Sequence, residues 1–205
     1  MSLAIRRRFA FLSGVVMKLY LSRIPSPIGE MLLVTDEREQ VRALDFADHK
    51  VRVYRGLREH YRTYELVERP APAGIAAALA DYFRGDLDAV KDVVTATGGS
   101  DFQRRVWKAL LDIPAGQTTS YGQLARSLGF EDPRAAIDVG AAIGANPVDI
   151  IVPCHRVIGS NGDIKGYAGG VHRKRWLLEH EGVRVKTGKS PKAPETVEAP
   201  RLPGC

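Results

Sequence analysis

Asn146-Pro147, followed by Ile150-Ile151-Val152-Pro153-Cys154-His155-Arg156-Val157-Ile158, is where this sequence concentrates reactive chemistry. A cysteine beside an imidazole can pass its proton to the ring and become a thiolate, the form in which sulfur attacks carbon. Arg156 close by would favour that anion, and Pro153 restricts the backbone just before it. The apolar residues up to Val152 predict a β run that delivers Cys154. Neighbouring side chains on an extended segment point to opposite faces, so Cys154 and His155 would need a bend or a bridging water to exchange a proton. A buried structural cysteine fits the same residues, and the pair alone leaves both readings open.

The elements that must hold this segment are helical. Asp101 can cap a helix whose apolar positions Phe102, Val106, Ala109 and Leu110 share a face, and Pro114-Ala115-Gly116 ends it. Tyr121, Leu124, Ala125 and Leu128 define a short helix closed by Gly129, and Asp132-Pro133 opens another that runs to about Ala145. Two short helices joined by a tight turn have the layout of a helix-turn-helix, although an ordinary αα-corner has it too. The second helix carries almost no bulk at Ala135, Ala136, Gly140, Ala141, Gly144 and Ala145. Each glycine inside a helix costs up to about 1 kcal/mol, so close packing on another helix or close approach to a nucleic-acid groove must offset it.

Upstream, Leu19 and Leu21 alternate with polar neighbours, Met31 to Thr35 is a β run, and Val41 to Phe46 is another. Residues 51–61 read as a helix, and Ile75, Leu79, Tyr82 and Phe83 lie at helical spacing before Gly85 stops a second one. Gly98-Gly99 is a natural boundary. The expected fold class is α+β: a small strand-rich α/β domain over 17–98, then a mostly helical domain with a helix-turn-helix over 99–182. Residues 1–16 read as an N-terminal extension and 183–205 as a tail, both without ordered structure.

Composition narrows the field further. The 205 residues are 44% hydrophobic and 26% charged, which is globular and excludes collagen-like or wholly disordered chains. Two cysteines without a CxxC spacing build neither a disulfide framework nor a zinc site, so a reducing, cytoplasmic setting is expected. No apolar run approaches the roughly 20 residues that cross a bilayer. The formal charge of +6 lies at the ends, +3 in residues 1–16 and +3 in 183–205, leaving 17–182 neutral. Net charge is therefore a weak argument for nucleic acid.

Other segments join the cysteine motif into a larger pattern. Phe102-Gln103-Arg104-Arg105-Val106-Trp107, Ile113-Pro114-Ala115-Gly116-Gln117-Thr118, Ser120-Tyr121-Gly122-Gln123-Leu124-Ala125, Asn146-Pro147, Pro153-Cys154-His155-Arg156, Gly166-Tyr167-Ala168-Gly169-Gly170 and Leu177-Leu178-Glu179-His180-Glu181-Gly182 follow one another in order. Over roughly Met17 to Gly182 the sequence resembles the O6-alkylguanine-DNA alkyltransferases, closest to bacterial members that begin with a strand-rich domain.

That resemblance implies DNA repair by irreversible, single-turnover transfer of an alkyl group from O6 of guanine to Cys154, without metal or cofactor. The partner is double-stranded DNA carrying O6-alkylguanine, the protein acts as a monomer, and the nucleotide is flipped into a pocket because its O6 atom is hidden in the duplex. It makes His155 the base acting through a water and Glu181 its orienting partner, although Glu181 alone reads as a helix-end surface acid. Asn146 ties the helices to the active segment. Tyr121 donates to the guanine ring, although it also fits the apolar face of its helix. Tyr167, Ala168 and Gly169 form the pocket wall, the carbonyls of Cys154 and Val157 read the exocyclic amine, and Arg134, Ala135, Ala136, Ile137, Gly140, Ala141 and Arg156 lie against DNA. The family carries an arginine where this chain has Ile137, a side chain that enters the duplex in place of the flipped base. Ile137 beside Asp138 predicts intact chemistry with weakened duplex binding, Arg134 being a possible substitute. The competing function is a lesion-binding protein without transferase activity; a thiol hydrolase is a third.

Overall fold

Apolar runs over residues 17–46 decide where the sheet sits. In the computed structural model, which describes residues 16–185, β1 (Met17–Ile24), β2 (Met31–Thr35) and β3 (Val41–Phe46) lie where those runs expect them. β2 is antiparallel to both neighbours. A fourth strand, β4 (Tyr64–Glu68), pairs parallel with β1 and gives the order β3-β2-β1-β4. The sequence did not announce β4, because none of its side chains is fully buried, Tyr64 and Leu66 only partly covering the core around Leu19 and Leu21.

Both faces of the sheet are covered. Leu32 and Val34 of β2 join Leu19, Leu21 and Ala43 beneath Val53 and Leu57 of α1 (Lys50–His60). Met31 and Leu33 point the other way, with Leu44 and Phe46, into the main core. That core takes Ile75, Leu79 and Tyr82 from α2 (Ala73–Arg84), which stops at left-handed Gly85 as expected. It continues without a break across Gly98-Gly99 to Val106, Trp107, Leu110, Val139 and Leu177. Gly99 has φ +116°, and a Cβ there would lie 2.7 Å from the Trp107 ring, so the junction requires glycine.

In the second half, α3 (Asp101–Leu111) is capped by Ser100 rather than Asp101. The Ser100 hydroxyl accepts from the Gln103 amide, and the Gln103 side chain accepts from the Ser100 amide. Asp101 sits inside the first turn, where its charge suits the helix dipole. α4 (Tyr121–Ser127) repeats the device with Ser120 and Gln123. α5 (Ala135–Gly144) begins later than Asp132-Pro133 predicts, because Asp132 accepts the Arg134 amide in a turn that precedes the helix. Trp107 Nε1 donates to the Ala142 carbonyl at 2.7 Å and fixes α3 against α5. The chain then passes the active segment and ends in α6 (Val171–His180). Among the described residues no helix is long and apolar enough to cross a membrane. Residues 1–15 and 186–205, which hold most of the predicted extension and tail, lie outside the described residues.

Candidate active site

The expected β run before Cys154 is instead a buried turn. Asn146, fully buried, donates from Nδ2 to the carbonyls of Val148 (3.1 Å) and Val152 (3.0 Å) and accepts the Val148 amide on Oδ1 (3.1 Å). These bonds fold residues 146–152 back on themselves, with Ile150 at φ +71°. β3 anchors the same turn: Leu44 donates to Pro147 O at 2.9 Å and accepts from the Asp149 amide at 2.8 Å. Cys154, His155 and Arg156 follow on a 3-10 turn, where successive side chains diverge by about 120° rather than 180°. The short parallel pair β5 (Thr119–Ser120) and β6 (Val157–Ile158) then brings Tyr121, the next residue after β5, to this turn.

Glu181 is the organiser of one half of the site. It is completely buried and accepts from His155 Nε2 (2.9 Å), from Arg156 Nε and Nη2 (2.9 and 2.8 Å), and from the Tyr82 hydroxyl (2.8 Å). Burial alone would raise its pKa, but the hydrogen bonds from His155 and Arg156 outweigh that and hold it well below the usual carboxylate range. Burial pushes His155 down despite Glu181, so the ring is neutral. With Nε2 donating to Glu181, Nδ1 keeps its lone pair, and it has no protein partner. Arg156 thus faces Glu181 and the Ile113 carbonyl (2.6 Å), buried away from solvent. Its expected contact with DNA, and its expected direct effect on the thiol, are both corrected by this geometry. Tyr82, read from sequence as an apolar helix position, is a polar member of the site. Tyr82→Phe should lower unfolding free energy by about 2 kcal/mol, the worth of a hydrogen bond to a charged group, as urea denaturation would measure.

The other half surrounds the sulfur. Cys154 is 4% exposed, and its thiol donates to Asp149 Oδ1 at 3.7 Å. Burial first, then the Asp149 charge, pushes the thiol up to about 12, against the opposing pull of Asn146, Arg52 and Lys174. Asp149 is itself pushed up to about 7 by burial and by Asp45, with Arg52 opposing. Arg52 reaches in from α1, bonded to Asp45 Oδ2 (2.6 Å) and to the Asn146 carbonyl, with Asp149 3.9 Å away. Lys174 of α6, buried, donates to the Val157 carbonyl at 2.6 Å, and its burial lowers it to about 8. A neutral imidazole oriented by a buried carboxylate and nearby cations supply the base and the charge that a sulfur nucleophile needs, while the raised thiol pKa requires that its proton be removed in the reacting step itself.

Comparison with known proteins bears on the same residues. Residues 101–183 match the profile of the 6-O-methylguanine DNA methyltransferase, DNA binding domain. A methylated-DNA-protein-cysteine methyltransferase of Salmonella typhimurium is 50% identical over 169 residues, which cover 82% of this chain and 98% of that protein. The chain belongs to the methylated-DNA-protein-cysteine methyltransferase family. Its fold is α+β like the crystal structure of Mycobacterium tuberculosis O6-methylguanine methyltransferase, with TM-score 0.64 and 41% identity over 80% of this chain and 92% of that one. A Mycobacterium tuberculosis OGT solved in complex with DNA matches with TM-score 0.63 and 39% identity over 80% and 93%.

Within this family member, the remaining predicted residues fall into two places. Tyr167 stands beside Asp149 and Cys154, whose charges, after burial, raise its pKa, and its hydroxyl is buried without a partner. Burial first, and then the Cys154 charge, raise the Tyr121 phenol, which therefore lies within electrostatic reach of the sulfur. Gly169 needs its missing side chain, since a Cβ would meet Tyr167 at 2.8 Å and Asp149 Oδ2 at 2.9 Å. Ala168 lines an open cleft of about 360 Å³ with Asp48, His49, Val51, Arg52 and Arg55. The second place is α5. Arg134, Ile137, Asp138, Ala141, Gly144 and Ala145 form its exposed stripe, with Ala135, Ala136 and Gly140 half-buried beside it. Gly140 faces the Tyr121 ring, at 3.5 Å from where a Cβ would stand, while nothing lies within 4 Å of Gly144. The small residues therefore serve both packing and an open face. Arg134 is bound to Asp132 by its guanidinium (2.8 Å).

Proposed function

We propose that this chain repairs DNA by moving an alkyl group from O6 of guanine onto Cys154, and that His155, Glu181, Tyr121 and Asn146 serve that step. The observation that carries it is the buried Cys154 thiol beside the Glu181-bound neutral His155, in a chain 50% identical over 169 residues to a methylated-DNA-protein-cysteine methyltransferase. The His155 Nδ1 lone pair takes the thiol proton through an intervening water. The sulfur pair then forms a bond to the alkyl carbon as the carbon–O6 bond breaks and its pair passes to the guanine. Tyr121 supplies a proton to the base as negative charge develops on it. The thioether product does not hydrolyse, so each molecule acts once.

Asn146 supports the step by folding the active segment into its turn. Tyr167, Ala168 and Gly169 wall the pocket for a flipped nucleotide. Of the two carbonyls expected to read the exocyclic amine, that of Val157 already accepts from Lys174 and has one lone pair left. The α4–α5 pair reads as a helix-turn-helix that presents the slim α5 face to the groove. We take residues 17–98 as an α/β domain and 99–182 as the catalytic, DNA-binding one. The reaction belongs in a reducing cytoplasm, where Cys154 stays a thiol.

Incubation with a duplex containing O6-methylguanine should add one methyl group to the protein, located on the Cys154 peptide by mass spectrometry. Binding without a mass change would show a lesion-binding protein instead, and more than one lesion repaired per molecule would show a hydrolase. Ile137 is 73% exposed on α5 and can enter a base step only as an apolar wedge. Ile137→Arg should therefore speed repair of duplex DNA far more than reaction with free benzylguanine. Equal acceleration of both would refute a role for position 137 in flipping.

A further inference from the structure

A second acceptor for the thiol proton is hydrogen-bonded to the sulfur directly. Asp149 stands in the turn that Asn146 builds, fully buried, with Oδ1 3.7 Å from Cys154 Sγ and Oδ2 free of hydrogen bonds, 3.9 Å from Arg52 Nη1. No hydrogen bond joins His155 to Cys154 among the described residues. We infer that Asp149 is a catalytic base in this chain that acts ahead of His155: its carboxylate takes the Cys154 proton directly, the two groups share that proton before alkyl transfer, and His155 Nδ1 receives it afterwards through water. The inference rests on the alkyl-transfer reading above.

The charges around the pair favour this route. From β3, Asp45 faces Asp149, with His49 4.0 Å beyond it. From α1, Arg52 reaches both Asp45, at 2.6 Å, and Asp149, at 3.9 Å. Tyr167 approaches from the loop before α6, Lys174 from α6 and Tyr121 from α4, while His155, Arg156, Glu181 and Tyr82 form the separate network behind the turn. Arg52 can neutralise only one of the two carboxylates. A thiolate made by losing its proton elsewhere would face an ionised Asp149 across a hydrogen-bond distance in a buried site. Transfer to Asp149 removes that repulsion in the same step, because the carboxyl becomes neutral as the sulfur becomes charged. The S–H bond breaks, an O–H bond forms on Oδ1, and the sulfur pair is left free for the alkyl carbon. The remaining Asp45 charge stays matched by Arg52.

Burial and Asp45 push Asp149 up to about 7, so a shared proton makes reactivity rise with pH through that region rather than at the far higher pKa of the thiol. The experiment is single-turnover methyl transfer from a saturating O6-methylguanine duplex, followed by mass on the Cys154 peptide, at a series of pH values. Asp149→Asn keeps the shape and cannot accept the proton, and Asp149→Ser is the second variant in case the amide disturbs the turn. Both remove an incompletely paired buried carboxylate and should melt no lower than the parent. Expected is a loss of about 100-fold near neutral pH, the usual worth of a general base, together with disappearance of the rate limb near pH 7. Variants that transfer as fast as the parent, or faster, with the limb retained would overturn the inference and leave the function standing. Faster transfer with the limb gone would overturn it too, making the carboxylate a brake on the thiolate. A parent protein that gains no methyl at any pH would overturn the function itself.

Discussion

Cys154→Ala should fold and bind DNA yet gain no methyl group from O6-methylguanine DNA, a complete loss rather than a graded one. The sulfur is the soft nucleophile at the centre of the site, and the groups around it supply or stabilise charge. Cys154→Ser should fail as fully, because a hydroxyl stays protonated where a thiol can ionise and no partner here is basic enough to change that. The fold should barely notice. Removing a sulfur that is 4% exposed costs about 1 kcal/mol of apolar burial, and no backbone bond of the turn passes through the side chain. The exposed stripe of α5 is untouched, so affinity for duplex DNA should stay at the parent value in a binding titration. Methyl mass found on any other peptide of either variant would mean that the acceptor has been misassigned.

What the sequence displays and what it hides divide along physical lines. The strands over residues 17–46 are legible because apolar residues dominate them, β2 being buried along its whole length, and α2 because its apolar positions recur at helical spacing up to Gly85. β4 is illegible for the complementary reason: a strand with no fully buried side chain has no hydrophobic signature. Ser100 outcompetes Asp101 as a cap because it alone stands where its oxygen meets the Gln103 amide while Gln103 reaches back. The run Ile150-Ile151-Val152 has strand composition, yet Asn146 binds the carbonyls on both sides of it and turns it into a loop. Local propensity yields there to one buried amide.

The active site was legible where function is carried by a motif, and hidden where it depends on residues brought from afar. Cys154, His155, Asn146 and Glu181 stand within consecutive segments of the second half. Tyr82 and Arg52 come from α2 and α1, and nothing in their own surroundings in the sequence separates them from an apolar helix position and a solvated arginine. Asp149 did leave a sign, as the one acid in an otherwise apolar stretch from Val148 to Val152. Arg156 was misplaced because sequence shows its neighbour Cys154 but not Glu181, which captures its guanidinium bidentately.

Glu181→Gln should be the most damaging change outside the nucleophile, in stability and in rate together. The carboxylate is the common acceptor for Arg156, His155 and Tyr82, and glutamine offers one carbonyl oxygen and an amide that confronts the Arg156 guanidinium. Breaking a buried ion pair by removing one partner leaves an uncompensated buried cation, at a cost of about 3–5 kcal/mol that urea denaturation would read. His155 also loses the charge that fixes its Nε2 proton, so Nδ1 is no longer reliably the basic nitrogen, and methyl transfer should fall about 100-fold. The pH dependence separates this from simple misfolding. The Glu181 pKa is depressed in the folded protein, so its stabilisation is present in full above the unfolded carboxyl pKa of about 4.3 and is lost as pH falls further towards the folded value. The parent minus variant difference in unfolding free energy should therefore be flat from neutral pH down to about 5 and shrink below it. A difference that stays constant into strong acid would mean that Glu181 contributes through packing and not through its charge.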